Sequence, residues 1–174
     1  CSSDLYKPLH IGRVVIVPKW ETYEPREGEI IIRMDPGMAF GTGSHETTRL
    51  VIGLLEDTVT PGCNVLDVGT GSGILAVCAS KLGAADCRAY DIDPVAVEVA
   101  AENAAENGCA NVTVGQSDLL AGVAPGKYDV VCANIVADII IRMAPDIGRF
   151  MHDESTLLAS GIINERASDV IDAL

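Results

Sequence analysis

From residue 64 onward, short apolar stretches alternate with glycine-bearing loops and segments of helical periodicity. Asn64–Val68 reads as a short buried strand that runs into Gly69-Thr70-Gly71-Ser72-Gly73. Ile74–Leu82 follows as a helix closed by Gly83. Cys87–Tyr90 is a second strand ending at Asp91, after which Asp93 caps a helix with Pro94 in its first position. Val95 and Val99, with Ala96 and Ala100, recur at helical spacing until Gly108. Val112–Val114 is a third strand and Tyr128–Ala133 a fourth, ending at Asn134. A helix through Ile139–Ile147, a fifth strand at Thr156–Ser160 and a further helix from Glu165 complete the series. This alternation predicts an α/β fold: right-handed βαβ units forming a doubly wound, mostly parallel sheet.

Upstream the pattern differs. Val14–Val17 and Ile30–Arg33 are short β-branched runs separated by the turn formers Pro18, Pro25 and Gly28. Residues 1–35 therefore read as two short strands or a strand-rich linker, followed by one α/β domain over 36–174. A length of 174 residues suits one domain, and 48% hydrophobic residues supply its core. Aromatics contribute only 4%, so that core is aliphatic.

Net charge narrows the partners. The 25 acidic residues outnumber 12 basic ones, for a formal charge of −13. This argues against a nucleic-acid backbone as partner and favours a neutral or cationic one, although the same surplus also serves solubility. There is no apolar run of membrane-spanning length, and Cys1–His10 lacks signal-peptide character. The six cysteines are scattered singly without C-x-x-C spacing, as expected of reduced, buried thiols in a cytoplasmic protein.

The candidate chemistry gathers at the carboxyl ends of the predicted strands, where sheets of this class bind ligands. The glycine pattern alone fits both a dinucleotide loop and other nucleoside loops: started at Gly69 it fails at Ile74, started at Gly71 it passes at Ala76. Asp67, two residues before the first glycine, tips the balance. A carboxylate there repels a pyrophosphate but attracts an ammonium or sulfonium group. S-adenosylmethionine carries both cations and no phosphate, so Asp67, Gly69, Gly71 and Gly73 read as a methyl-donor loop. Asp91, 22 residues after Gly69, is placed to accept ribose hydroxyls. Asp118 falls where adenine would lie, or is a plain loop residue. Asn134 offers an amide beside the transferred methyl, suited to positioning an uncharged amine, although an Asn at a strand end is commonly a turn residue.

Asp35–Thr48 is dense in glycine, hydroxyl and polar groups and precedes a helix with Leu50, Val51, Leu54 and Leu55. It reads as a ligand-closing loop. Thr47 and Thr48 double as candidate helix caps, and His45 is a weaker candidate base.

On these residues the chain resembles the PrmA family, the methyltransferases that modify large-subunit ribosomal protein eleven. Asp35–Thr48 matches the family's DPGxAFGTGxHxTT signature, with Ser44 and Glu46 departing from many relatives. Asp67–Ala76, Asp91-Ile92-Asp93-Pro94, Asn107-Gly108, Ala133-Asn134-Ile135 and Ser160-Gly161-Ile162 follow in the family's order, and Ile16–Trp20 resembles its segment before the core. The resemblance implies that Thr48, Gly69, Asp91 and Asn134 contact S-adenosylmethionine. It implies methyl transfer to lysine side-chain and N-terminal amines of one ribosomal protein by a cytoplasmic monomer. It further implies a separate N-terminal recognition domain, and two more sheet strands beyond the last helix begun here. Alternatives are an enzyme of the same class acting on lysines of another protein, a binding module without an acceptor, and a nicotinamide-dependent oxidoreductase.

Overall fold

The computed structural model describes residues 8–35, 45–135 and 137–160. The glycine-rich stretch 36–44 and the helix expected from Glu165 lie outside the described residues, as does Cys1.

Two sheets form. Leu9–Ile11 (β1), Val14–Val17 (β2) and Ile30–Arg33 (β3) make a small sheet, with β2 antiparallel to β1 and parallel to β3. The chain then passes through His45–Thr58 (α1), Asn64–Val68 (β4), Ile74–Lys81 (α2), Asp86–Asp91 (β5), Pro94–Glu106 (α3) and Val112–Gln116 (β6). It continues through Tyr128–Asn134 (β7), Ala137–Ile147 (α4) and Met151–Ser160 (β8). Strands β4 to β8 build one sheet in the order β6-β5-β4-β7-β8, every neighbouring pair parallel.

The period of two along β4 explains the layering. Val65 packs in the cluster with Ile52, Leu55, Leu75 and Val77, so α1 and α2 cover that face. Leu66 and Val68 turn the other way, onto Ile140, Met143 and Ile147 of α4. Helices on both faces leave the strands buried on both sides, which is why they read as continuous apolar runs rather than alternating ones. The sheet is therefore doubly wound, as the sequence predicts.

The N-terminal strands are more deeply seated than a bare linker reading implies. Val14, Val15 and Val17 have no exposure, and Ile16 and Ile32 join the core beneath α1 and α2. Asn107, at the end of α3, clamps β3 like a strand partner. Its side chain accepts from the Arg33 amide at 2.8 Å and donates to the Arg33 carbonyl at 2.9 Å.

The structure differs from expectation in three places. β1 was not legible as a strand. β8 begins at Met151, because the pairing with β7 slips between Tyr128 and Val130 and loops out polar residues before Thr156. On α1, the buried stripe is Thr48, Val51, Ile52 and Leu55, whereas Leu50 and Leu54 are exposed. Asp93 does cap α3, accepting from the Val95 amide at 2.9 Å, with Pro94 next to it. Among the described residues no helix is long and apolar enough to cross a membrane.

Candidate functional site

Chain order sets the site. β4 is central, and the strands after it are added first on one side (β5, β6) and then on the other (β7, β8). The crevice where the order reverses lies at the carboxyl ends of β4 and β7, the expected ligand position. Gly69 directly follows β4 there and Asn134 ends β7. Gly69 sits at φ +72, and a Cβ on it would lie 2.4 Å from Cγ2 of Ile135. Only glycine both adopts this conformation and admits the neighbouring side chain.

The loop after β4 is held by its own amides. The Gly69 and Thr70 N–H groups donate to the Tyr90 carbonyl at 2.8 and 2.9 Å. Gly71 donates to Oδ2 of Asp91 at 2.9 Å, and Gly73 donates to the Thr70 carbonyl at 2.9 Å. The fully buried Asn103 braces the loop from α3, its amide donating to the Ser72 carbonyl at 2.8 Å. Gly73 starts α2 at φ +85, and a Cβ there would lie 3.2 Å from the Ala100 backbone. Glycine here lets α2 and α3 approach closely.

Asp67 is not a solvated strand end. It shares the face of Val65, lies beneath the start of α2 and is 1% exposed. Its Oδ2 accepts from the Thr70 hydroxyl at 2.7 Å, while Oδ1 has no partner. Leaving a buried acceptor unmatched costs about 1–3 kcal/mol. Burial pushes this carboxyl up to about 7; the Thr70 hydroxyl opposes the shift and the nearby Asp91 charge adds to it. Asp67 is thus a carboxyl poised between its two protonation states, rather than a fixed anion.

Asp91 closes β5. Beyond Gly71, its Oδ1 accepts from the Asp93 amide at 3.0 Å. A carboxylate has about four lone-pair positions, so acceptor capacity remains for hydroxyl groups. Ile92, next to it, is an exposed apolar side chain, 62% accessible.

Asp118 is exposed in the turn after β6. It lines a groove of about 270 Å³ with Leu120, Arg142, Met143, Asp146 and Phe150, a groove that none of Asp67, Gly69, Gly71, Gly73 or Asp91 lines. The structure thus joins Asp67, the glycines and Asp91 directly, and reaches Asp118 only through backbone, where the Ser117 amide donates to the Asp91 carbonyl at 3.0 Å. Leu119 follows at φ +53, the one non-glycine residue with positive φ among the described residues. Such a conformation costs about 1–3 kcal/mol and needs support from its surroundings.

Thr48 is buried on α1. Asn134 is placed by its backbone at the end of β7, in register with Ser160 of β8. His45 begins α1. Thr70 and Ile135 were named within motifs but given no role from sequence, and Ser117 was not singled out. Thr70 carried a usable signal, a hydroxyl three residues after a candidate carboxylate; the other two are defined only by tertiary contact.

Comparison with known proteins completes the description. The family model for ribosomal protein L11 methyltransferase (PrmA) matches residues 2–174. The curated ribosomal protein L11 methyltransferase of Caldanaerobacter subterraneus subsp. tengcongensis is 54% identical over 166 residues, 95% of this chain and 53% of that protein. Its counterpart from Thermoanaerobacter sp. is 51% identical over 170 residues, 97% of this chain and 55% of that protein. The chain spans about half the length of the curated relatives it matches. The crystal structure of ribosomal protein L11 methylase from Lactobacillus delbrueckii subsp. bulgaricus superposes with a TM-score of 0.88 at 38% identity, covering 98% of this chain and 86% of that one. Precorrin-6y C5,15-methyltransferase from Geobacter metallireducens has a TM-score of 0.64 at 15% identity, covering 77% and 71%, a likeness of fold alone.

Proposed function

Because this chain belongs to the ribosomal protein L11 methyltransferase (PrmA) family, we propose that it forms the catalytic core of a cytoplasmic, S-adenosylmethionine-dependent protein methyltransferase. Its substrate is a large-subunit ribosomal protein, methylated on lysine side-chain and N-terminal amines.

One observation carries the choice of cofactor. A dinucleotide loop offers free amides to a pyrophosphate, but here the Gly69, Thr70, Gly71 and Gly73 amides are all engaged within the protein. Of the two carboxyl groups at the same strand ends, Asp67 is buried beneath the loop and Asp91 keeps acceptor capacity towards the crevice. A ligand with ribose hydroxyls fits this set; a pyrophosphate does not. Asp91 would hold the ribose. Asp67 supplies acceptor character beneath the loop, and Gly69 and Gly71 leave room for close approach. Asp118 and Ile92 would flank the base, and Thr48 and Asn134 would complete the donor's surroundings.

When bound, the donor supplies an electrophilic methyl group on a sulfonium. The chain's task is to place an uncharged amine in line with it, which is worth several orders of magnitude in rate. A lysine amine ordinarily holds its proton up to about pH 10.4. Desolvation beside a cation lowers that value, and the proton leaves to solvent. Asn134, whose backbone ends β7 beside the crevice, would orient the amine.

The test uses the full-length protein with labelled S-adenosylmethionine and purified ribosomal proteins. Label transfer to one large-subunit protein, at amines, is expected. Transfer to a different protein's lysines overturns the target. Binding of NAD without binding of S-adenosylhomocysteine overturns the cofactor and the reaction class.

A further inference from the structure

The buried stripe of α3 carries one polar side chain between two small ones. Ala100, Asn103 and Ala104 face inward, and Asn103 is 1% exposed. An amide taken out of water costs free energy unless it is hydrogen-bonded, and an apolar residue would serve packing here as well. The Asn103 amide makes its bond outside its own helix. It donates to the Ser72 carbonyl at 2.8 Å, 31 residues back along the chain. Ala100, one turn earlier on the same face, is small enough for the start of α2 at Gly73 to pass against it.

The same loop is held from its other end by the strand before α3. Asp91 accepts the Gly71 amide through Oδ2 at 2.9 Å and the Asp93 amide through Oδ1 at 3.0 Å. Asp93 in turn caps α3, accepting from the Val95 amide at 2.9 Å. A closed circuit results: Gly71 to Asp91, Asp91 to Asp93, Asp93 into α3, and Asn103 back to Ser72. The N–H at the start of the Gly71–Ser72 pair and the C=O at its end are both fixed, which restrains the peptide between them. Gly71 itself lies at φ +56, with open space where a side chain would project.

From this circuit we infer that Asn103 is a positioning residue for the methyl donor: its amide holds the Ser72 carbonyl while Asp91 holds Gly71, and together they fix the arch of the glycine loop against which the donor seats. The inference rests on the methyl-donor reading above and adds to it a buried residue that acts through backbone. Two properties separate this role from packing. The N–H of the side chain is what matters, so a side chain of equal shape without it must fail. The loss must also appear as affinity in a protein that is fully folded.

Calorimetry of S-adenosylhomocysteine binding to the full-length protein, from pH 5 to pH 8, tests both. Asn103→Ala should bind about fivefold or more weakly than wild type at every pH, the scale of one net hydrogen bond. Asn103→Asp should lose more at pH 8, where a carboxylate faces the carbonyl, and recover toward wild type as pH falls, because the protonated carboxyl again donates. Burial raises the pH at which that proton is taken up. All other carboxyls are common to these proteins, so each affinity is read as a ratio to wild type at the same pH. Ala104→Gly loosens the same stripe without removing a donor; it should lower the melting temperature and leave affinity unchanged. Thermal melting reports folding throughout. If Asn103→Asp is unfolded at pH 8, its affinity at pH 5 is compared with that of Asn103→Ala and should be the tighter. Folded Asn103 variants that bind like wild type, an Asn103→Asp affinity that does not recover at low pH, or an equal loss in Ala104→Gly overturns the role of Asn103. Failure of wild type to bind S-adenosylhomocysteine overturns the donor reading, and with it this inference.

Discussion

Oδ2 of Asp91 accepts the Gly71 amide at 2.9 Å, so the carboxylate that ends β5 also holds the loop that ends β4. Removing it should therefore have two effects: release of the glycine loop and, on the proposed function, loss of an acceptor for ribose hydroxyls. Asp91→Ala should weaken S-adenosylhomocysteine binding by roughly 10–100-fold, the range for hydrogen bonds to a charged group. Asp91→Asn, which keeps an acceptor oxygen, should lose less. Titration calorimetry on the two variants checks the order; equal losses would show that the negative charge, rather than an acceptor oxygen, is what matters.

Asp67 gives a pH signature with a definite sign. Its carboxyl ionises near 3.8 ordinarily but at about 7 when folded, so between those values the folded chain binds the extra proton. Stability contributed by this group falls as pH rises from about 4 to about 7, then levels off. Across that window Asp67→Asn should gain on wild type by on the order of 4 kcal/mol, as an upper figure. Urea unfolding of both proteins at pH 4 and pH 8 measures the difference. A gap independent of pH would mean that Asp67 stays ionised when buried.

Gly69→Ala tests the closeness of the two strand ends. Positive φ and the 2.4 Å approach to Ile135 both oppose a methyl group there. The expected cost is roughly 2–4 kcal/mol, read from denaturant unfolding. Ile135→Ala should relieve only the steric part, giving a favourable coupling of about 1 kcal/mol in a double-mutant cycle. Additive losses would place the strain entirely in the backbone.

Asn134→Ala should lower turnover by about 100-fold, the scale of a misplaced reactant, with donor affinity changed far less. Steady-state methyl transfer alongside donor binding separates the two. Unchanged turnover would remove Asn134 from the chemistry.

The thiols should be silent. Burial pushes Cys78 and Cys87 up to about 12 and Cys132 well above its usual range. A thiol-disulfide reagent at pH 8 should leave these three unmodified in the native protein and react on unfolding, as mass spectrometry of digests would reveal. Rapid native labelling of Cys132 would contradict its burial.

Most of the sheet was legible because strands buried on both faces produce unbroken apolar runs between glycines. β1 escaped because three residues between Pro8 and Gly12 carry no usable period. The early start of β8 was hidden by the polar run from His152 to Ser155, which a pairing slip accommodates. On α1, apolar residues at adjacent positions left the phase of the buried stripe open. In the site, the spacing of Asp67, the glycines and Asp91 placed them at adjoining strand ends. The near-neutral state of Asp67 was not readable, because desolvation arises from α2 packed above it.

The central place of β4 has a consequence for the growing chain. Its first partner, β5, arrives within a short stretch, and residues 64–91 contain the whole lattice that joins Gly69, Thr70 and Gly71 to Tyr90 and Asp91. Its second partner, β7, and Ile135 over Gly69 come only after β5, α3 and β6. Local contacts form ahead of distant ones. A ribosome delivering this protein therefore presents the glycine-loop lattice first and the β4–β7 crevice last, so the crevice is not formed until β7 has been inserted beside β4.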